Sequence, residues 1–307
     1  MEFLFQVVLL VLGFVLLVKG ADFFVDGSAS IAAKFGIPQL IIGLTVVAMG
    51  TSAPEAAVSI SAAFAGNADI TIGNILGSNL LNILIILGLS SLIAVLRVGK
   101  STVWIDIPIV LGASVILLLL GLDGVISTFD AAIIFVCFIA FLAYMIISAK
   151  KSNEAGDDIK LMSVPKSLLF AVAGLAMIIA GSQFTVNSAT YIAKAMGVSE
   201  RFIGLTVVAL GTSLPELFTS VMASRKGNAD IAIGNVVGSN IFNILFIVGL
   251  SGLIIPVPFP RAFVFDALVS IAAVVLLFAL CVRKKQLGKT AGIIMLIGYA
   301  AYFACII

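Results

Sequence analysis

The sequence predicts an all-α polytopic membrane protein, with ten transmembrane helices forming two inverted-topology five-helix repeats. Three observations lead there. Hydrophobic residues are 62% of the 307 and charged residues only 10%, a balance outside the range of soluble domains. The apolar runs are of spanning length and apolar on all sides, without the alternation of barrel strands. The two halves also match at a constant offset of 161 residues: between 36–90 and 197–251, 33 of 55 positions are identical with no gap. Five spans per copy is an odd number, so the second copy starts from the opposite side of the bilayer and sits upside down.

The predicted spans are 3–33, 37–63, 70–93, 103–121, 127–148, 164–195, 200–223, 231–254, 262–282 and 289–307. The first is long enough to tilt or protrude. Its start, Met1-Glu-Phe-Leu-Phe, lacks the basic region and cleavage site of a signal peptide and reads as membrane span. Residues 1–150 form repeat one, 151–163 a linker and 164–307 repeat two. The linker region carries Glu154, Asp157 and Asp158 among Gly, Asn and Lys and reads as solvated chain.

Basic residues set the orientation. The side reached after odd-numbered spans carries 13 of them, including Lys34, Arg97, Lys150, Lys151, Arg225, Lys226 and Arg283; the other side has Lys194, Arg201 and Arg261. This bias places the 150–166 linker in the cytoplasm and both termini outside, in a cell membrane. There is no histidine, which excludes histidine catalysis and histidine metal sites. Cys137, Cys281 and Cys305 are scattered through apolar segments and read as small buried hydrophobes. The net charge of +2 singles out no partner, and no basic patch suggests nucleic acid.

Two motifs, each written twice, carry the chemistry. The first is Gly43-Leu-Thr-Val-Val-Ala-Met-Gly-Thr-Ser-Ala-Pro-Glu55, repeated as Gly204-Leu-Thr-Val-Val-Ala-Leu-Gly-Thr-Ser-Leu-Pro-Glu216. A carboxylate at membrane depth costs roughly 2.5 kcal/mol or more. The chain accepts that cost at both equivalent places, so Glu55 and Glu216 are the expected functional centre. Pro54 and Pro215 have no N–H, so each breaks the helical hydrogen-bond ladder and frees backbone carbonyls, with Gly50 and Gly211 adding softness. Thr51, Ser52, Thr212 and Ser213 add hydroxyls. The result is a set of hard oxygens suited to Na⁺, Ca²⁺ or Mg²⁺. A simple proline kink with self-satisfied hydroxyls explains one such helix, but not a glutamate in both copies.

The second motif opens spans 3 and 8, as Gly66-Asn-Ala-Asp-Ile-Thr-Ile-Gly-Asn-Ile-Leu-Gly-Ser-Asn-Leu-Leu-Asn82 and Gly227-Asn-Ala-Asp-Ile-Ala-Ile-Gly-Asn-Val-Val-Gly-Ser-Asn-Ile-Phe-Asn243. Helical spacing puts Asn74, Ser78 and Asn82 on one stripe, and Asn235, Ser239 and Asn243 on another. Cation ligation is the favoured role for Ser78, Asn82, Ser239 and Asn243, with interhelical hydrogen bonding as the alternative. Asn79 and Asn240 lie off the stripe and read as interhelical glue. Gly73 with Gly77, and Gly234 with Gly238, form small-residue seams for close helix approach. Asp69 and Asp230 read as helix-start caps, and Asp22, Asp26, Asp106, Asp130 and Asp266 as water-accessible residues near span ends.

With these motifs in each half, the chain resembles the sodium/calcium exchanger family of the cation/Ca²⁺ antiporter superfamily, whose paired α-repeats look like the stretches just quoted. The resemblance covers essentially the whole chain. It implies an antiporter, with no cofactor and no enzymatic activity, that exchanges Na⁺ for Ca²⁺ by alternating access. Spans 2, 3, 7 and 8 would surround the ions, and spans 1 and 6 would form a sliding gate. The implied ligands are Glu55 and Glu216, the oxygens of Thr51, Ser52, Ser78, Thr212, Ser213 and Ser239, and the carbonyls of Ala48 and Ala209; Asn82 falls at the family's central position in repeat one. One departure is Asn243, where many sodium/calcium exchangers carry aspartate. H⁺/Ca²⁺ or K⁺-assisted exchange is the alternative. A passive channel would need an open pore. An intramembrane hydrolase would need a base, and neither histidine nor lysine lies near the serines.

Overall fold

The structure is a computed structural model that describes residues 2–66, 68–151, 161–197 and 209–306. The described chain is almost wholly helical. In order it contains α1 (Glu2–Phe35), α2 (Gln39–Thr51), α3 (Ala53–Phe64), α4 (Ile70–Ile93), α5 (Thr102–Gly121), α6 (Thr128–Lys151), α7 (Val164–Ala195), the short α8 (Ala209–Thr212), α9 (Leu214–Arg225), α10 (Ala229–Ile254), α11 (Ala262–Val282) and α12 (Lys289–Ile306). Among the described residues eight helices are long and apolar enough to cross a membrane, or nine if α2 and α3 count as one broken span. The protein is therefore an integral membrane protein. The expected seventh span, 200–223, begins outside the described residues, as does most of the expected linker.

Burial separates core from periphery. The apolar windows of α10 and α4 are 94% and 78% buried, whereas those of α1 and α12 are 17% buried. The outer helices expose large apolar side chains such as Leu4, Phe129, Val136 and Ile297, which only lipid can cover favourably. The two most buried helices are the ones that carry the second motif.

Some contacts between the halves are made reciprocally. Strands β1 (Leu96–Arg97) and β4 (Gln286–Leu287) pair antiparallel, as do β2 (Val125–Ile126) and β3 (Val257–Pro258). β3 and β4 stand 161 residues after β1 and β2, so each ladder is the counterpart of the other. The long helices α1 and α7 lie against each other along their length. A Cβ at Gly20 would sit 2.8 Å from the carbonyl oxygen of Gly174, so only glycine allows this approach. Similarly, a Cβ at Gly238 would lie 2.5 Å from the Leu44 carbonyl, which makes the predicted Gly234/Gly238 seam a contact between α10 and α2. For Gly73 and Gly77, the repeat-related partner stretch lies outside the described residues.

Asp106 and Asp230 depart from the sequence reading, whereas Asp22, Asp26, Asp130 and Asp266 stay partly exposed as expected. Asp106 is 1% exposed rather than water-accessible, and its carboxylate oxygens meet no hydrogen-bond partner within ordinary distance among the described residues. It sits in a π-helical turn, Thr102–Asp106, that turns it inward at the start of α5. Asp230 lies in the first turn of its helix, whose cap residue is Asn228, so it meets the helix dipole rather than capping the end. Asp22 and Asp26 are both bound to Lys226. Asp130 exchanges hydrogen bonds with Ser127 at the start of α6, and Asp266 accepts from Tyr302 at 2.7 Å. Cys137, Cys281 and Cys305 are free, but Cys305 is exposed and Cys137 half-buried, so only Cys281 matches the expectation of a buried hydrophobe.

Candidate cation site

The site starts from the proline breaks. Ser52 leaves the helical region at φ −81°, ψ 9°, and α3 restarts behind it with Pro54 in its first turn, bent by 51° from α2. Ser213 does the same at φ −87°, ψ 3°, ahead of Pro215 and α9. Glu55 and Glu216 therefore fall in the first turns of α3 and α9, where the partial positive charge of the helix end partly offsets burial of a carboxylate. The carbonyls the prolines were expected to free are taken up within the protein. A cap N–H donates to the Gly50 carbonyl, and the Ser182 hydroxyl donates to that of Gly211 at 2.6 Å.

Both glutamates are 1% exposed and close enough to repel each other. Each is served by a serine of the other half. Ser52 Oγ donates to Glu216 Oε1 at 2.7 Å, and Ser213 Oγ lies 3.4 Å from Glu55 Oε1. Ser78 Oγ also lies 3.4 Å from Glu55 Oε1 and accepts from Ser213 Oγ at 3.3 Å. On the other side Thr51 and Ser239 bear on Glu216. Thr51 Oγ1 donates to Asn235 Oδ1 at 2.9 Å and also lies 3.0 Å from the Val47 carbonyl and 3.3 Å from that of Ala48. Ser239 Oγ lies 3.5 Å from the same Ala48 carbonyl, which therefore sits within the hydroxyl cluster. Thr212 keeps a buried hydroxyl with no partner among the described residues. Ala209 opens α8, and the rest of its surroundings lie outside the description.

Asn79, Asn82, Asn240 and Asn243 form one connected network between α4 and α10. Asn240 Nδ2 donates to the Asn79 carbonyl at 3.3 Å, and Asn79 Nδ2 donates to the Asn240 carbonyl at 3.4 Å. A backbone carbonyl only accepts, so these bonds fix which end of each amide is nitrogen. The remaining Oδ1 atoms of Asn240 and Asn79 accept from Asn82 Nδ2 and Asn243 Nδ2, each at 3.0 Å. Asn82 and Asn243 are thereby held with their Oδ1 atoms unpaired among the described residues. Both follow a change of helix type, as the second residues of the π-helical turns Leu81–Ile86 and Phe242–Val248. Such turns break the regular hydrogen-bond ladder and recur at functional sites.

Four buried oxygens of the motif residues thus lack a donor among the described residues: Glu55 Oε2, Glu216 Oε2, Asn82 Oδ1 and Asn243 Oδ1. A buried oxygen with no donor is costly, and two full negative charges compound the cost. The complementary ligand is a bare or partly hydrated hard cation. Of the stripe residues, Ser78 and Ser239 lie in the hydroxyl cluster, and Asn82 and Asn243 keep an Oδ1 without a partner among the described residues. Asn74 and Asn235 instead bond Ser59 at 3.0 Å and Ser220 at 2.9 Å, fixing the motif helices to each other. The sequence reading passed over those two serines. Their signal was there: both stand four residues after the glutamate and are identical in the two halves.

Comparison with known proteins gives the same direction. The sequence profile of the family described as sodium/calcium exchanger protein matches residues 5–147 and 166–307. The inner membrane protein YrbG of Escherichia coli (strain K12) is 36% identical over 308 residues, covering 96% of this chain and 95% of that protein. The sodium/calcium exchanger MaX1 of Methanosarcina acetivorans is 30% identical, with 96% of each chain covered. Among solved structures, the sodium-calcium exchanger NCX_Mj, soaked with zero Na⁺ and Ca²⁺, superposes with a TM-score of 0.87 at 33% identity, covering 98% of this chain and 99% of that one.

Proposed function

Because the chain belongs to the sodium/calcium exchanger family, a family of membrane antiporters, we propose that it exchanges Na⁺ for Ca²⁺ by alternating access, with both ions competing for Glu55 and Glu216. The observation that carries this reading is the quartet of buried oxygens on Glu55, Glu216, Asn82 and Asn243 that have no partner among the described residues. Two carboxylates balance one Ca²⁺ or two Na⁺. An empty site leaves two like charges in a dry interior, which opposes the switch of the unloaded carrier and enforces exchange over leak. Thr51, Ser52, Ser78, Thr212, Ser213, Ser239 and the carbonyls of Ala48 and Ala209 complete the ligand set in this reading.

The architecture proposed with it is ten spans, as repeat one (1–150) and repeat two (164–307) in inverted orientation. The reciprocal ladders and the reciprocal Asn79–Asn240 bonds support a two-fold relation between the halves. The linker is proposed to be cytoplasmic and both termini outside, in the cell membrane, on the distribution of Lys and Arg.

One observation favours a second reading, H⁺/Ca²⁺ exchange. Asn243 is neutral and donates its amide to Asn79, which aspartate cannot do, so the site has two carboxylates and two protons would neutralise it as well as two Na⁺. Radiolabelled Ca²⁺ uptake into proteoliposomes decides, with Na⁺, K⁺ and pH gradients imposed one at a time. Uptake driven by a Na⁺ gradient at equal pH is the expected result. Uptake driven by a pH gradient in the absence of Na⁺ would replace the first reading with the second.

A further inference from the structure

Lys226 is the C-cap residue that follows α9, the helix whose first turn holds Glu216. Its ammonium nitrogen lies 2.6 Å from Asp22 Oδ1 and 2.5 Å from Asp26 Oδ1, and donates to the Asp22 carbonyl at 2.9 Å. The two aspartates stand one turn apart on α1, so they grip the lysine from one helix face. Further along the same contact, Phe14 of α1 packs against Phe218 of α9 at 6.3 Å. A cleft of about 340 Å³, lined by Val18, Lys19, Met222 and Arg225 together with Lys226 and Asp22, opens beside the clamp.

The other half does not repeat this arrangement. At the 161-residue offset, Asp22 and Asp26 correspond to Gln183 and Asn187 of α7, and Lys226 to Ala65 at the end of α3. No charge remains at any of the three positions. The packing differs in step. α1 lies along α9, whereas no comparable contact joins their counterparts α7 and α3 among the described residues. The same pair of elements is shut and ion-paired in one half, and apart and uncharged in the other.

We propose that Lys226, Asp22 and Asp26 form a one-sided ionic latch, which holds α1 against α9 and closes the approach to the glutamates from the side on which α9 ends. The latch rests on the alternating-access reading, in which opening on that side requires it to break. The Lys226 side chain is 21% exposed and those of Asp22 and Asp26 are 35% and 46% exposed, so the pairs are partly screened. Partly exposed pairs contribute little to folding, but a two-state equilibrium near balance responds to a small bias. Because one half carries the bias and the other lacks it, the two access states are unequal in the absence of ions.

The test uses the full-length protein with Cys137, Cys281 and Cys305 changed to serine and a probe at Thr219→Cys. Thr219 is fully buried, one turn from Glu216 toward the latch. A membrane-impermeant thiol reagent is applied from the side of Lys226. Lys226→Met, and separately Asp22→Asn with Asp26→Asn, are expected to speed labelling about threefold or more. Lys226→Asp should do the same, and adding Asp26→Lys should bring the rate back down. Choline chloride, which screens charge without entering the cation site, should speed labelling of the parent and not of Lys226→Met. Unchanged labelling in both neutralised variants, when each elutes as a folded monodisperse protein, overturns the latch, and so does failure of the swap to restore slow labelling. Labelling does not depend on which ion drives transport, so a failed Na⁺/Ca²⁺ flux assay would sink the proposed exchange without touching this result.

Discussion

Ser52 and Glu216 are 164 residues apart, yet Ser52 Oγ donates to Glu216 Oε1 at 2.7 Å, in the same position relative to its partner motif that Ser213 holds toward Glu55 at 3.4 Å. Neither motif builds its own site. Each supplies a glutamate to the centre and a serine to the other's glutamate.

The first prediction concerns charge. Glu55→Gln or Glu216→Gln leaves one carboxylate to face a divalent cation. Removing one partner from a buried charged cluster typically costs about 3–5 kcal/mol, which is at least about a hundredfold in binding. Exchange in proteoliposomes should fall below detection for both variants. Near-parental flux in either one would refute the glutamate site.

The two serines should not be equivalent. A hydrogen bond to a charged group contributes about 1.5–3 kcal/mol when short, and less when long. Ser52→Ala should therefore weaken Ca²⁺ binding by about tenfold or more, and Ser213→Ala by clearly less. Isothermal titration with Ca²⁺ on the purified protein separates them, and equal losses would contradict the geometry.

Asn79 and Asn240 are expected to act through other residues. Asn240→Ala removes the acceptor that fixes Asn82, and with it one bond between α4 and α10. A freed Asn82 amide can rotate its nitrogen toward the cation. The expected result is about a tenfold rise in the Ca²⁺ concentration needed for half-maximal flux. Asn240→Asp keeps that acceptor and should recover part of the loss; a purely structural role would show no such difference.

Close approach gives a prediction of stability. At Gly238 an added Cβ meets the Leu44 carbonyl at 2.5 Å, so Gly238→Ala should push α10 from α2 and lower the melting temperature in detergent. Gly112, with nothing within 4 Å, should accept alanine without loss. Equal melting temperatures for the two variants would show that the α2–α10 contact relaxes freely.

Asp106 is buried, its carboxylate oxygens have no close partner among the described residues, and it takes no part in the central cluster. Replacing it by asparagine removes a charge from a dry site without changing its volume. The expected outcome is a melting temperature higher by about 2 °C or more with transport retained, measured by thermal shift and flux. A fall in stability would mean that the carboxylate has a counter-ion.

Composition and internal repetition reach far into this protein. A bilayer tolerates few charges and demands satisfied backbone, so apolar runs and two misplaced glutamates are legible in one dimension. Helix periodicity also shows that Ser78 and Asn82 share a stripe, because that relation lies within one helix. It cannot show that Ser52 belongs to Glu216, or that Asn79 and Asn240 pair across the centre to aim Asn82 and Asn243. Those partners stand about 160 residues away, and only side-chain packing of helices brings them within 3 Å or so. The same limit explains Asp106, whose place near a span end suggested water, while a π-helical turn carried it inside. Sequence determined which groups the membrane would have to hide; tertiary structure decided what each hidden group would face, because hydrogen bonds depend on distances that chain position does not encode.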